Sequence, residues 1–277
     1  MPDDAMKLEA APVIEHTAIR GGYKLLWLRA PSIAPRVKPG QFLHVLIPHL
    51  GESVLRRPFS VFRAEEDKCA ILYKDVGRGT RTLSTLRAGE TVSLIGPLGN
   101  AYPDLSPGNY PLLVAGGYGM AALYLVARRM PRQGIAFFGG RSVKDILCIP
   151  EFQELGWEVR VSTEDGSLGH PGRVTDLIDH WLHHERQQHT PELFACGPNG
   201  MLQAVAQRSR DHSLQAWISM DSNMGCGVGA CLTCVIKVKD GNDWTWSRSC
   251  REGPVYDANH ILWEAHPTSQ PPNLPTI

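Results

Sequence analysis

The chain has 277 residues, of which 43% are hydrophobic, and its 28 acidic and 28 basic residues give a formal net charge of zero. This length predicts more than one domain, and the balanced charge gives no electrostatic reason to expect nucleic acid or an anionic membrane as a partner. The sequence shows no basic and apolar leader, no apolar run of about 18 residues and no disulfide-like spacing of its seven cysteines, so we expect a cytoplasmic protein without a secretory signal or membrane span.

The first part of the chain, residues 8–106, is predicted to form an antiparallel β-barrel. It contains short runs of strand-forming residues that turn signals interrupt. We expect strands at residues 23–29, 41–47, 60–62, 70–74 and 91–95. Short strands with such regular turns are typical of an all-β unit. The turn-rich residues 103–109 are expected to link this unit to the next domain.

One segment of the predicted barrel has the residue types of a ligand contact. Arg57 carries a planar guanidinium that matches a phosphate, and Pro58 fixes the backbone and removes one N–H donor. Phe59 follows, and Ser60 offers a hydroxyl to the edge of a ligand ring. An ordinary surface strand has the same composition, so that alternative stays open.

A second candidate segment follows the strand that ends in Tyr73 and Lys74. Gly79 and Thr80 belong to a Gly-x-Gly-Thr turn at the start of a helix predicted over residues 80–86. Free N–H groups at the start of a helix bind anions, so the turn is a candidate phosphate site, with a plain turn as the alternative. Together with the arginine of the preceding segment, this turn could clamp a dinucleotide pyrophosphate. We include Tyr73 and Lys74 among the cofactor-binding candidates.

From residue 107 onward strands alternate with helices, which predicts a parallel α/β domain over residues 107–216. A strand at residues 112–115 runs into the turn G-G-Y-G and then into a helix expected over residues 120–130. Glycines at a strand-to-helix turn let the backbone approach a pyrophosphate, so Gly117 and Gly119 are candidate dinucleotide contacts. The turn departs from the G-x-G-x-x-G spacing, so alone it is a weak indication.

Two further strands, at residues 135–138 and 158–162, are expected to end at the carboxyl edge of this sheet, where open α/β folds bind ligands. Arg141 follows the first strand and could contact a 2′-phosphate or merely cap the end of the strand. Glu164 and Asp165 follow the second strand and favour an unphosphorylated ribose. The sequence therefore leaves the choice between NAD and NADP open.

A fourth strand ends in Cys196, where the segment C-G-P-N-G-M leads into a helix that extends to about residue 210. A small, polarisable side chain at a strand end can lie against a flat ring. This makes Cys196 the candidate catalytic residue, and a buried structural cysteine is the common alternative.

The C-terminal part, residues 217–277, contains the most specific pattern. Cys226, Cys231, Cys234 and Cys250 follow the C-x4-C-x2-C spacing, with a later fourth cysteine, by which plant-type proteins hold a [2Fe–2S] cluster. Iron bridged by sulfide prefers thiolate ligands, and the interleaved glycines let backbone N–H groups approach the sulfurs. A zinc site would need a second C-x2-C pair, and a disulfide framework is unusual in a chain of this length without a secretory signal.

The surroundings of this cysteine pattern are expected to be small and irregular. A short strand at residues 217–220 leads into it, and a hairpin of strands at residues 235–239 and 245–248 flanks it. The tail from residue 267 is rich in proline and expected to be loose.

In this order, the segments R-P-F-S, G-x-G-T, G-P-L-G, G-G-x-G and C-G-P-x-x-M resemble the ferredoxin reductase superfamily. Two further features point to one family within this superfamily: the cysteine pattern and the segment C-R-E-G-P-V-Y that begins at Cys250. The chain is similar over nearly its full length to the electron-transfer subunits of type B dihydroorotate dehydrogenases. This resemblance implies a FAD-binding antiparallel β-barrel, a Rossmann-like parallel α/β NAD-binding domain and a small C-terminal [2Fe–2S] module.

The resemblance also implies how the chain binds FAD. The flavin nucleotide would lie on the barrel, with Arg57 and the turn at Gly79 and Thr80 against its pyrophosphate. The three residues that follow the arginine, 58–60, would lie beside the isoalloxazine.

For NAD, the resemblance implies a position over the sheet, with Gly117 and Gly119 at the phosphates and Cys196 near the nicotinamide. This chain departs from the family in one respect. Members usually carry a proline shortly after the G-G-x-G turn, where this chain has Ala121 and Ala122.

The chemistry of the three cofactors predicts electron transfer. NAD exchanges a hydride, an iron–sulfur cluster passes single electrons and a flavin does both, so FAD must lie between the other two. The resemblance implies a partner subunit with FMN that oxidises dihydroorotate in pyrimidine (UMP) biosynthesis, in a heterotetramer of two copies of each subunit. The alternatives are a reductase subunit of a ferredoxin-dependent or hydrogenase-type complex and a non-enzymatic cluster- or flavin-binding regulator.

Overall fold

The computed structural model describes residues 6–51, 54–187, 189–220 and 222–263. These residues form a closed barrel, then a seven-stranded α/β sheet, and a two-stranded hairpin near the C-terminus. The predicted fold class is confirmed. The predicted loose tail from residue 267 lies outside the described residues.

Six antiparallel strands close the barrel. They are Lys7–Ala18 (β1), Tyr23–Arg29 (β2), Phe42–Leu46 (β3), Arg57–Glu65 (β4), Lys68–Lys74 (β5) and Thr91–Leu98 (β6). Their order is β1-β2-β5-β4-β3-β6, and β1 pairs with both β2 and β6, which completes the closure. The sequence did not predict β1, because Pro12 and a run of alanines interrupt the usual strand pattern.

The helix predicted over residues 80–86 occupies Arg78–Leu83 (α1) instead. It begins earlier because Thr80 organises the turn before it. The Thr80 hydroxyl oxygen accepts hydrogen bonds from the backbone N–H groups of Val76, at 2.9 Å, and Gly77, at 3.0 Å. These bonds satisfy donors that a helix start leaves without an intrahelical partner.

The remaining strands follow in chain order. They are Tyr110–Gly116 (β7), Ile135–Gly140 (β8), Glu158–Thr163 (β9), His170–Pro171 (β10), Pro191–Cys196 (β11), Gln215–Ser219 (β12), Val235–Asp240 (β13), Asp243–Arg248 (β14) and Val255–Asp257 (β15). The sheet has the order β10-β9-β8-β7-β11-β12-β15, and every neighbouring pair is parallel except β12 and β15. Strands β13 and β14 form the predicted hairpin.

Five helices accompany this sheet. They are Gly119–Ala122 (α2), Tyr124–Arg129 (α3), Ile149–Glu154 (α4), Val174–His184 (α5) and Asn199–Asp211 (α6). The stretch predicted as one helix over residues 120–130 thus forms α2 and α3, which Leu123 separates. None of the helices in the described ranges is long and apolar enough to cross a membrane.

Two hydrogen bonds hold the carboxyl edge of the sheet against the N-terminal part of the chain. The Tyr102 hydroxyl donates a hydrogen bond to the carbonyl of Ala195 at 2.8 Å, and the Arg20 guanidinium donates to the carbonyl of Ile146 at 2.6 Å. The strand expected to lead into the cysteine pattern is β12, which belongs to the sheet and crosses the proposed domain boundary at residue 216. The C-terminal unit is therefore tied to the sheet through β12 and β15.

Candidate functional site

A cavity of about 220 Å³, which we name the barrel cavity, lies where β4 and β5 face the carboxyl ends of β11 and β12. Seven of the predicted site residues line it, and they come from three distant segments of the sequence. These residues are Pro58, Phe59, Ser60, Tyr73, Lys74, Thr80 and Cys196. The fold therefore brings together most of the candidates that the sequence offers for a ring-binding site.

Aromatic and apolar side chains form the walls of the barrel cavity. The rings of Phe59 and Tyr73 meet edge to face, with centroids 5.7 Å apart. Burial raises the pKa of Tyr73 well above its usual value, so its hydroxyl, 3.0 Å from Nε2 of His16, stays neutral. Cys196 is 5% exposed and adds a small thiol to the wall. An apolar cavity with few polar groups suits a planar ring.

Two of the predicted phosphate contacts lie beside the barrel cavity and do not line it. The Arg57 guanidinium donates hydrogen bonds to the carbonyls of Leu55, at 2.8 Å, and Arg56, at 3.2 Å. Gly79 is its neighbour, because a Cβ placed on Gly79 would lie 3.7 Å from Nε of Arg57. The structure thus groups the arginine and the glycine turn, as a pyrophosphate clamp requires.

A second cavity, of about 640 Å³, lies over the carboxyl ends of β7, β8 and β9, and we name it the sheet cavity. Gly117 lines it, together with Arg141, Glu164 and Arg173. Asp165 is not among the lining residues, and its carboxylate accepts a hydrogen bond from the Ser167 hydroxyl at 2.6 Å. The position over the ends of parallel strands is the usual ligand site of an open α/β sheet.

Gly119 packs closely on the end of β11 and is not among the residues that line the sheet cavity. A Cβ on Gly119 would lie 2.1 Å from the carbonyl oxygen of Cys196 and 2.5 Å from its carbonyl carbon. A side chain there would separate α2 from the end of β11. The sequence could not distinguish this role from a phosphate contact, because both require a glycine after the strand.

Lys74 connects the two cavities, which both include it in their walls together with Val76 and Tyr118. Its Nζ donates a hydrogen bond to Oδ1 of Asp145 at 2.7 Å, which ties the barrel to the sheet domain. Burial alone would raise the pKa of Asp145, but the Lys74 hydrogen bond and charge outweigh it and lower that pKa. No local pattern indicated this ion pair, because 71 residues separate its members.

The cysteine loop, residues 225–234, points backbone donors at one sulfur. Sγ of Cys226 accepts hydrogen bonds from the N–H groups of Val228, Ala230 and Cys231, at 3.5, 3.2 and 3.4 Å. Hydrogen bonds from the side chain and backbone of Thr233 lower the pKa of Cys231 to about 6. At Cys231 the loop therefore favours the thiolate, which is the form that binds metal, whereas burial raises the pKa of Cys250 to about 12.

The four cysteines are arranged as two pairs, Cys226 with Cys231 and Cys234 with Cys250, each joined by a thiol contact. The second pair is buried, at 2% exposure for both residues, whereas Cys231 is exposed. Among the described residues no three acidic, histidine or cysteine side chains are arranged to hold a single metal ion. Two thiol pairs beside backbone donors instead fit a two-iron cluster, in which each iron takes two protein ligands.

Two side chains belong both to the apolar cluster around the buried cysteine pair and to the wall of the barrel cavity. Phe42 is in one cluster with Leu98, Cys234 and Cys250, and it also lines the barrel cavity. Met224 contacts the same apolar group and lines the same cavity. The sequence did not single out either residue, because an apolar side chain on a strand or loop carries no chemical signature.

These sites are together those of an iron–sulfur flavoprotein reductase with the ferredoxin reductase fold. They comprise two adjoining cavities, the group of Arg57 and the glycine turn, and the paired cysteines. A solved NADH-dependent reduced ferredoxin–NADP oxidoreductase, studied for flavin-based electron bifurcation, matches with a TM-score of 0.80 and 26% identity, over 92% of this chain and 90% of that chain. A ferredoxin reductase in carbazole 1,9a-dioxygenase has a TM-score of 0.64 at 20% identity, over 77% of this chain and 68% of that one. The second match shows the fold alone.

Two family models and curated relatives specify the class further. The iron–sulfur cluster binding domain of dihydroorotate dehydrogenase B matches residues 221–262, and an oxidoreductase NAD-binding domain matches residues 113–207. The dihydroorotate dehydrogenase B (NAD(+)) electron transfer subunit of Geobacillus sp. (strain WCH70) is 35% identical over 93% of this chain and 99% of its own length. The corresponding subunit of Bacillus caldolyticus is 37% identical over 81% of this chain and 87% of its own length.

The chain belongs to the family of dihydroorotate dehydrogenase B electron transfer subunits. It is an oxidoreductase subunit, as the sequence predicts. The expected cofactors, FAD, a [2Fe–2S] cluster and NAD, agree with the two family models and with the flavin reductases among the structural neighbours.

Proposed function

We propose that this subunit transfers electrons from the FMN of a dihydroorotate-oxidising partner, through a [2Fe–2S] cluster and FAD, to NAD, as a step of pyrimidine (UMP) biosynthesis. The observation that carries the proposal is the continuity of the three sites. Phe42 joins the cysteine loop to the barrel cavity, and Lys74 and Tyr118 join the barrel cavity to the sheet cavity. Adjacent sites in this order are what a converter between single electrons and a hydride requires.

The cysteines would hold the cluster in the two pairs that the structure displays. The N–H groups around Cys226 would stabilise the negative charge on its sulfur. Because Cys231 is exposed and the other pair is buried, the open side of the loop would face the partner subunit. The cluster supplies one-electron chemistry when it is bound.

Residues of the barrel would bind the flavin nucleotide. Arg57 would hold the pyrophosphate through its planar guanidinium, and Gly79 and Thr80 would contact it from α1. Because α1 has only six residues, we assign the positive charge of this site to the arginine and not to a helix dipole. The other barrel residues of the cavity would hold the isoalloxazine, and these are Pro58, Phe59, Ser60, Tyr73 and Lys74.

The sheet cavity would hold the nicotinamide nucleotide. Gly117 would let the backbone approach a phosphate, and Cys196 would lie where nicotinamide and flavin meet, because β11 ends beside both cavities. Gly119 would support this site by letting α2 pack on the end of β11. Glu164 in the cavity wall favours an unphosphorylated ribose and hence NAD.

We further propose a heterotetramer with two copies of each subunit, and a cytoplasmic location. The location is supported by the three cysteines outside the cluster pattern, Cys69, Cys148 and Cys196, which are buried thiols without a disulfide, as is usual in a reducing compartment.

A second candidate function is that of a ferredoxin:NAD(P) reductase subunit, which the 26% identity to the NADH-dependent reduced ferredoxin–NADP oxidoreductase favours. Anaerobic co-purification of the tagged chain from its native cells separates the two candidates. We expect an FMN-containing partner, and NADH formation by the complex when dihydroorotate and NAD⁺ are added. A preparation without such a partner that reduces ferredoxin from NADH would support the reductase instead.

A further inference from the structure

His44 on β3 is a buried histidine that the proposed electron route leaves unused. It is 1% exposed, and neither Nδ1 nor Nε2 makes a hydrogen bond of ordinary geometry within the described residues. Buried polar side chains in native proteins nearly always have a partner, so an exception indicates either a role or a missing ligand. An imidazole in either protonation state carries at least one N–H that can donate.

The cysteine loop packs directly on this ring. A Cβ placed on Gly227 would lie 2.5 Å from Nδ1 of His44, and 2.9 Å from Cγ and Cε1. Gly227 also has a φ of 72°, so glycine meets both the conformational and the steric requirement there. The nitrogen nearest to the loop is therefore Nδ1, and it lies against the residue that follows Cys226.

His44 lies on the same face of β3 as Phe42, the other residue of this strand that is close to the cysteines. Residues two apart on a strand share a face, so His44 and Phe42 both project from the same side of β3. Phe42 belongs to the apolar cluster that contains Cys234 and Cys250, whereas the His44 ring lies against Gly227, the residue after Cys226. One apolar and one polar side chain thus support the two cysteine pairs.

We propose that His44 is a positioning residue for the iron–sulfur centre: Nδ1 supplies a hydrogen bond to the cysteine loop at Cys226 and Gly227 and thereby raises the reduction potential of the cluster. This inference rests on the proposed function, because it requires that the loop holds the cluster. Reduction adds negative charge, which an N–H dipole directed at the loop stabilises. Hydrogen bonds around the sulfurs are among the factors that set the potentials of such clusters.

Three substitutions test which nitrogen acts. His44→Asn keeps a polar group near the position of Nδ1, His44→Gln keeps one near the position of Nε2, and His44→Leu keeps neither. The readouts on the purified holoprotein are its iron and sulfide content and a redox titration followed by the electron paramagnetic resonance of the reduced cluster. We expect the Leu and Gln variants to shift the midpoint negative by about 59 mV or more, a tenfold change for a one-electron couple, and the Asn variant to stay near wild type.

His49→Leu is the matched control, because His49 lies on the same barrel with a side chain that is 71% exposed, and it should leave the midpoint unchanged. A Leu variant that holds the cluster at the wild-type midpoint would overturn the inference. An Asn variant with the same midpoint as the Gln variant would also overturn the inference. Where the Leu variant does not fold, the Asn and Gln variants are compared by their rates of cluster loss, and equal rates would overturn the inference. Wild-type protein without iron and sulfide after reconstitution would instead refute the proposed function.

Discussion

Gly119 offers a sharp test of the packing around the flavin and nicotinamide sites. In Gly119→Ala the new methyl would lie 2.1 Å from the Cys196 carbonyl oxygen, whereas carbon and oxygen atoms in contact normally lie about 3.3 Å apart. Because the nearest atoms are backbone, α2 or the end of β11 must move by roughly 1 Å. Overpacking of this kind costs about 1–3 kcal/mol, which lowers the Tm of a chain of this size by roughly 2–12 °C.

The same movement should disturb the barrel cavity, because Cys196 lines it. The assay is thermal unfolding of the holoprotein, with the FAD content measured after gel filtration. Gly200→Ala is the matched control, since a Cβ on Gly200 meets no atom within 4 Å and alanine is favoured in α6 by about 0.5–1 kcal/mol. If Gly119→Ala unfolds at the same temperature as this control and retains its flavin, the packing argument is wrong.

Three other changes test separate parts of the site. Asp145→Asn should lower stability at pH 7 by about 1 kcal/mol, because Lys74 loses a charged partner. The pKa of Asp145 is lower in the folded state than in the unfolded state, so its carboxylate stabilises the fold above the unfolded pKa near 4, and this stabilisation is lost as the pH falls further. The Asn variant should therefore lose less stability in acid than the wild type. An unchanged dependence of stability on pH would contradict this. Arg57→Ala should reduce FAD retention at least tenfold by removing a bidentate phosphate contact, and unaltered flavin content after gel filtration would count against it. Cys231→Ser should abolish the visible absorbance of the cluster and leave FAD bound, whereas a surviving spectrum would show that the ligand assignment is wrong.

Local patterns in the sequence predicted those features whose cause is local. The cysteine spacing depends on the geometry of one loop, and the alternation of β2 depends on one buried face, so β2 was predicted at its observed bounds, Tyr23–Arg29. Likewise, the strand-end position of Cys196 follows from the residues around it. These signals need no knowledge of what packs against them.

Features that depend on distant contacts escaped prediction. The contact between Lys74 and Asp145 joins two domains, and Phe42 acquires its position between two sites only when the barrel meets the cysteine loop. The phosphate contact of Gly119 stays a prediction, but its tight packing was not foreseen, because only the approach of β11 shows what a side chain there would meet. The closing strand β1 was missed because pairing with both of its neighbours, and not its own composition, makes it a strand.

The central claim is that this one chain converts between single electrons and a hydride, and anaerobic titration of the isolated holoprotein with NADH tests it most directly. Flavin absorbance and the paramagnetic resonance of the cluster are followed together, with NADPH as the comparison. We expect NADH to bleach the flavin and to produce the signal of a reduced cluster in the same molecules, and NADPH to act far more weakly. If the flavin is reduced by NADH while an intact cluster never accepts an electron, whatever the excess of NADH, the claim is contradicted.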